Sequence, residues 1–358
     1  MPAQLTFQPP PCHTAPHDSF GDHAVTVPLL ATPDNPIPPG ATLRTVRTAD
    51  GLALRVATWA PTARTVQGTV CLVQGRAEFI EKYFETVTEL RSRGFHVVAF
   101  DWRGQGGSDR TVEDAHKGHV DDFSEYRLDL AAVEAQVMEA GMPRPFFGLA
   151  HSMGGAICLT AAREGWLPFS RLVVLAPMVA ICMIRRPKAA MRLAAVLRAL
   201  GFGRRYVPGG SAVSIATKPF PNNRLTADPV RYARNAAAAL AVGAGAVGDP
   251  TIAWLAAAFR AMRHFEDPRY PLGIRVPVLV VAAGADPVCS TPAVERFAAR
   301  LAAGHTITIR GARHEILMER DAIREQFWAA FDAFVPGSAT PVPGSATPVA
   351  GEAKAEVA

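Results

Sequence analysis

Phe146-Phe147-Gly148-Leu149-Ala150-His151-Ser152-Met153-Gly154-Gly155 is the stretch that decides the fold of this chain. An apolar, strand-like run ends on a serine flanked by small residues and passes into a helical pattern at Ala156-Ile157. So sharp a strand-to-helix turn strains its central residue, and the positions two before and two after it must be small, as Ala150 and Gly154 are. The hydroxyl of Ser152 is then presented at the C-terminal edge of a sheet and at a helix N-terminus. The short pattern also fits a serine in a purely structural turn. Its place between a strand and a helix favours chemistry.

Working outward, short β-type runs alternate with helical patterns, which predicts a mostly parallel sheet with helices on both faces. Eight strands are expected, at 43–47, 53–58, 69–74, 96–101, 145–150, 171–176, 277–283 and 305–309. Ala49-Asp50-Gly51 between the first two is a hairpin-type turn, so the sheet should open antiparallel and continue parallel. The alternation stops after Pro177 and resumes near Pro277; the intervening residues are helical in pattern and rich in Ala and Arg. Four parts follow: an extended Pro-rich segment at 1–40, a core at 41–177 and 271–335, a helical cap or lid at 178–270, and a flexible tail at 336–358, where Pro-Gly-Ser-Ala-Thr-Pro-Val occurs twice in tandem.

A hydroxyl nucleophile needs a base, and the base needs an acid to orient it. Val278-Leu279-Val280-Val281-Ala282-Ala283 is a buried strand running into a turn that holds Asp286, expected to be exposed at the strand's C-terminal edge. Asp286 is the candidate acid, although an Asp there could instead cap the helix starting near Pro292. The strand at 305–309 leads through Arg310-Gly311-Ala312-Arg313 to His314, the candidate general base, with a helix expected from Glu315. His96 and His305 fall in or beside strands, His116 and His119 precede a helix near Phe123, and His151 is expected to pack rather than transfer protons. Only His314 combines the right order with the right loop.

Acyl transfer also requires donors for the developing oxyanion: one backbone amide after the nucleophile and one after an earlier strand. Those are Met153 and, in the turn Gln74-Gly75-Arg76 that should open a helix, Arg76. The Arg76 side chain is a separate matter; it could bind a substrate anion or pair with Glu78 or Glu81.

At 358 residues, 49% hydrophobic and 19% charged, the chain can bury a large core. A net charge of +5 gives no argument for nucleic acid as a partner. Five scattered cysteines without metal-type spacing predict reduced thiols. With no secretory signal pattern and no apolar run near the roughly 18 residues of a spanning helix, the expected location is cytoplasmic.

Four segments together resemble the lysophospholipase and monoacylglycerol lipase branch of the α/β-hydrolases, over about residues 40–335. They are Gln74-Gly75-Arg76-Ala77-Glu78-Phe79-Ile80-Glu81-Lys82-Tyr83, Asp101-Trp102-Arg103-Gly104-Gln105-Gly106-Gly107-Ser108, His119-Val120-Asp121-Asp122-Phe123 and the Ser152 turn. The resemblance implies the α/β-hydrolase fold, with Ser152, Asp286 and His314 matching the family triad. It also implies hydrolysis of a lipid-like ester of a glycerol or lysophospholipid acyl chain, without metal or organic cofactor. Two departures are Gln74-Gly75 where the lipases usually carry His-Gly, and Ala150 where Gly is commoner; both look like the bacterial lysophospholipase variant. From Gly165 through Ala227 the chain holds ten Lys or Arg and no Asp or Glu. That basic cap either rests on anionic membrane, peripheral to the inner membrane face, or is an ordinary solvated lid. Carboxylesterase, thioesterase and proline-type aminopeptidase activities use the same scaffold, and a member that only binds ligand is the reading from a different class. Ser at 152 disfavours dehalogenation, which needs a carboxylate nucleophile.

Overall fold

The computed structural model describes residues 27–337, so most of the expected N-terminal segment and tail lies outside the described residues. Eight strands form one sheet: β1 Thr42–Arg47, β2 Ala53–Trp59, β3 Gly68–Val73, β4 Phe95–Phe100, β5 Phe146–His151, β6 Arg171–Leu175, β7 Val278–Ala283 and β8 Gly304–Ile309. Their order is β1-β2-β4-β3-β5-β6-β7-β8. The β1–β2 and β2–β4 pairs are antiparallel, and all pairs from β4–β3 onward are parallel. Each strand lies within one residue of its expected run, and β3 to β7, buried on both faces, read as continuous apolar stretches.

Alternate side chains of the central strands feed two cores. Cys71, Val73, Leu172, Val174, Val278 and Val280 face one layer, which includes α2 (Glu125–Val133, followed by the single turn α3 at Glu139–Gly141), α4 (Ser152–Glu164) and α8 (Thr291–Ala298). Val70, Leu72, Val173, Leu175, Leu279 and Val281 face the other, with α1 (Phe84–Ser92) and α9 (Asp321–Phe334). Between β6 and β7 the chain forms α5 (Pro187–Leu197), α6 (Pro229–Val242) and α7 (Ile252–Phe265) with short turns. Trp254 and Phe259 of α7 join the first core, which ties this insertion to the sheet.

Two expected helix starts are displaced. After Arg76 the chain makes a positive-φ turn at Ala77 and a 3-10 turn at Ile80–Tyr83, and α1 begins only at Phe84. After His314, Glu315 turns inward to Lys82 and its amide bonds the Leu225 carbonyl, so only a 3-10 turn at Ile316–Met318 forms before α9.

Strand order reverses between β3 and β5, and the crevice outside their C-terminal ends is where open parallel sheets bind ligands. There the first turn of α4 packs backbone to backbone on β3. A Cβ on Gly154 would lie 2.4 Å from the Gln74 carbonyl oxygen and 2.5 Å from that of Val73. Gly154→Ala must therefore lift α4 away from β3. Overpacking of this kind costs roughly 1–3 kcal/mol. The expected result is a lower urea midpoint at unchanged slope, together with slower turnover as Ser152 moves; an unaltered midpoint would contradict this packing.

Candidate active site

Ser152 is the junction of β5 and α4, and its φ of +48° is the strained conformation that a nucleophile turn requires. Its carbonyl accepts from the Met178 amide at 3.0 Å, pinning the turn to the end of β6. The Ser152 Oγ–H donates to His314 Nε2 at 3.0 Å, and His314 Nδ1–H donates to Asp286 Oδ2 at 2.8 Å. An ionised carboxylate only accepts, so Asp286 keeps the proton on Nδ1 and leaves Nε2 free to receive the serine proton.

The Asp286 side chain is 2% exposed, contrary to the expected solvent-facing edge. Its other oxygen accepts from the amides of Val288 at 2.8 Å and Cys289 at 3.0 Å, a turn that closes back over the carboxylate. The N-cap position of the helix near Pro292 is Ser290, and the amides that Asp286 receives, those of Val288 and Cys289, precede that helix, so Asp286 does not cap it. Asp286, Cys289 and His314 each bring a potential ligand atom to within 4.8 Å of the others. A metal held by that set would take His314 and Asp286 out of the serine relay, so it would oppose activation of the hydroxyl.

The two amides expected to receive an oxyanion are those of Met153 and Arg76. Met153 lies in the first turn of α4, where a helix leaves its N–H groups unsatisfied. In the β3 loop, Gly75 N–H donates to Glu78 Oε2 and Ala77 N–H to Gln105 Oε1, whereas the Arg76 amide makes no hydrogen bond to a described residue. This loop is held from outside. Gln105 donates to the carbonyls of Gly75 and Glu78 at 2.9 and 3.0 Å, and Trp102 Nε1 donates to that of Gln74 at 2.9 Å. The Asp101–Ser108 motif is thus the clamp of the loop.

Beneath the relay lies a buried charge cluster that the sequence reading missed. His151 Nδ1 meets Glu78 Oε1 at 2.9 Å and its Nε2 meets the His314 carbonyl at 3.1 Å. Both partners only accept, so both ring nitrogens carry protons and His151 is an imidazolium. Burial alone would lower its pKa, but the Glu78 carboxylate outweighs that and raises it. Burial likewise opposes ionisation of Glu78, yet His151 and Lys82 hold its pKa well below the usual range. Lys82 bridges Glu78 and Glu315, each at 2.6 Å, and the Tyr83 hydroxyl donates to Glu78 at 2.6 Å. Two carboxylates and two cations balance. Among the other histidines, His119 pairs with Thr251 Oγ at 2.9 Å, and the His305 ring packs on Phe334. The Glu78–Lys82 spacing of four reads in sequence as an ordinary surface ion pair, and only the fold brings Glu315 and His151 to it.

The insertion braces the histidine loop: Arg313 donates to the carbonyls of Asn223 and Thr226 at 3.1 Å each, and Thr226 Oγ to that of Met318 at 2.7 Å. The Arg76 side chain pairs with neither Glu78 nor Glu81. It crosses to the insertion, donates to the Gly248 carbonyl and lies over the Trp254 ring.

His151→Gln leaves two buried carboxylates facing Lys82 alone, a loss of about 3–5 kcal/mol for a broken buried pair. The sign with pH follows from the raised pKa: the stabilisation is complete below the ordinary histidine value of 6.5 and disappears as pH climbs through the folded value. The stability gap between the unmodified chain and the variant, read from urea midpoints, should therefore shrink at alkaline pH. A gap independent of pH would contradict the imidazolium.

Residues 64–321 match the family model described as "Serine aminopeptidase, S33". Lysophospholipase L2 of Escherichia coli (strain K12) is 33% identical over 272 residues, covering 71% of this chain and 76% of that protein. The probable lysophospholipase L2 of Haemophilus influenzae is 27% identical over 270 residues, covering 75% and 84%. Among solved structures, a soluble variant of monoglyceride lipase from Saccharomyces cerevisiae in complex with a substrate analog superimposes with a TM-score of 0.65 at 20% identity, covering 84% of this chain and 97% of that one, a likeness of fold. With its Ser152 turn at the switch point of the sheet, the chain belongs to the α/β-hydrolases, in their lysophospholipase and monoacylglycerol lipase branch.

Proposed function

We propose that this chain hydrolyses a carboxylic ester of a lipid, a lysophospholipid or a monoacylglycerol, through an acyl-enzyme on Ser152. The observation that carries the reading is the hydrogen-bonded relay from Ser152 through His314 to Asp286, to which the reading adds the amides of Arg76 and Met153 as oxyanion donors. His314 Nε2 takes the Oγ proton as Oγ bonds to the ester carbonyl carbon. The carbonyl oxygen becomes an oxyanion between the Arg76 and Met153 amides, a contribution of roughly 3–4 kcal/mol per donor in related sites. Its collapse breaks the bond to the glycerol oxygen, which leaves with the proton from His314. Water then gives a proton to the same nitrogen, attacks the acyl carbon and releases the fatty acid, and Ser152 regains its proton. Asp286 stays ionised throughout and stabilises the imidazolium. These steps need no metal or organic cofactor.

The lipid reading is supported by the relatives' names and by the insertion. Its residues 178–270 act as a lid over the acyl site, with Phe79 of the oxyanion loop packed on Ala238, Ala239 and Ala246. An aminopeptidase must hold a cationic α-amino group, and a stretch of ten cations without an acid is poorly suited to that. On α5 and the turn after it, Leu193, Val196 and Leu200 are 50%, 55% and 65% exposed beside Arg192 and Arg198. No helix among the described residues is long and apolar enough to cross a membrane. This face therefore rests on anionic lipid as a peripheral contact, with apolar side chains entering the headgroup boundary.

Cleavage of a monoacylglycerol and a lysophospholipid of equal acyl length tests the chemistry. Ser152→Ala and His314→Ala should each reduce both rates by at least about a thousandfold. Retention of activity by either variant would remove the assignment.

Arg185→Glu, Arg186→Glu and Lys188→Glu combined should weaken sedimentation with phosphatidylglycerol vesicles by on the order of a hundredfold or more, at about 1 kcal/mol per cation. Equal binding of the variant and the unmodified protein would argue for a solvated lid.

A further inference from the structure

Arg76 carries a charge that the hydrolytic steps do not use. Its Nη2 donates to the Gly248 carbonyl, and its guanidinium carbon is 5.2 Å from the centroid of the Trp254 ring. Its Nε is buried and has no hydrogen-bond partner among the described residues. No described carboxylate forms an ion pair with it. The buried Arg55, Arg103 and Arg324 differ in this respect: Arg55 reaches Asp101 at 2.6 Å, Arg103 reaches Asp129 at 2.7 Å and Arg324 reaches Glu85 at 2.9 Å. Burial lowers the Arg76 pKa to about 10 against the opposing pull of the Asp249 carboxylate, which lies beyond ion-pair distance, so the group remains cationic at neutral pH. An enclosed cation held by a neutral carbonyl and a ring face is costly compared with one held by an anion.

The vacant donor and its occupied neighbour lie on the same edge of the guanidinium plane. Nε–H and Nη2–H point in parallel there, the geometry that grips two oxygens of a phosphate. The backbone amide of the same residue lies in the loop after β3 and makes no hydrogen bond to a described residue, which leaves it available to the ester carbonyl. In a lysophospholipid the glycerol backbone separates ester from phosphate by a span comparable to an arginine side chain.

We infer that Arg76 is the specificity-determining residue for a phosphate-bearing substrate. On binding, one phosphate oxygen displaces the Gly248 carbonyl from Nη2 and a second accepts from Nε. The cation gains an anion in direct contact, and Gly248 in the insertion is released. This inference rests on the ester-hydrolase reading above. It adds that the preferred ester carries a phosphodiester headgroup and is not a neutral glycerol ester.

The test compares kcat/KM for lysophosphatidylethanolamine and for a monoacylglycerol of the same acyl chain, in identical mixed micelles, for the full chain, Arg76→Met and Arg76→Lys. A charge-assisted hydrogen bond is worth about 1.5–3 kcal/mol, so the ratio of phospholipid to neutral ester should fall about 10- to 100-fold in Arg76→Met. The fall should lie chiefly in KM, with partial recovery in Arg76→Lys. An unchanged ratio, with both esters slowed together, would overturn the inference and leave Arg76 as a structural tie to the insertion. Cleavage of the monoacylglycerol alone by the unmodified chain would overturn it as well. Cleavage of neither ester would remove the ester-hydrolase reading itself. Should Arg76→Met fail to fold, the unmodified chain still decides: glycerol phosphate should inhibit monoacylglycerol cleavage where equal glycerol does not, and inhibition by neither would overturn the phosphate site.

Discussion

The Glu78 carboxylate is shared by the Gly75 amide, the Tyr83 hydroxyl, the Lys82 ammonium and the His151 imidazolium, and the rest of the site depends on that sharing. Through Gly75 it holds the loop that carries Arg76. Through His151 it reaches the residue preceding the nucleophile, and His151 in turn donates to the carbonyl of His314. The Gly75–Ala77 loop, the Ser152 turn and the His314 loop follow three different strands. One buried anion ties all three, and removing it would leave two cations enclosed without sufficient countercharge.

The insertion completes the arrangement from the other side. Its Asn223–Thr226 carbonyls hold Arg313, its Leu225 carbonyl receives the Glu315 amide, and its Gly248 carbonyl holds Arg76. Ser152 and His314 are accordingly 8% and 5% exposed. Exclusion of water strengthens the relay electrostatically, because the same hydrogen bonds count for more in a medium of low dielectric. The outer face of the same segment carries cations and exposed leucines, so the element that encloses the site is also the one suited to meet lipid.

Much of this was legible in the chain itself. The strands were: β3 through β7 are buried on both faces and read as unbroken apolar runs, and β1 and β2 flank a hairpin-type turn at Asp50-Gly51. Ser152, Asp286 and His314 were, because each follows a strand and their order along the chain is the order the chemistry requires. The charge cluster was not: Glu78 and Lys82 are spaced like partners on a solvated helix, and Glu315 lies more than two hundred residues away. The same limit hid the course of Arg76, whose acceptor at Gly248 is supplied by the insertion, a segment with little periodicity around its glycines. The helix starts after Arg76 and His314 were misread because side chains from distant segments hold both loops out of helical geometry.

Covalent trapping tests the central claim, that Ser152 is the one activated hydroxyl, more directly than turnover. The full chain would be treated with a fluorophosphonate ester and the modified peptide located by mass spectrometry. The account predicts a single adduct on Ser152 that forms far more slowly in His314→Ala and is absent in Ser152→Ala. Rapid modification of a different serine, or labelling of Ser152 at the same rate without His314, would contradict it.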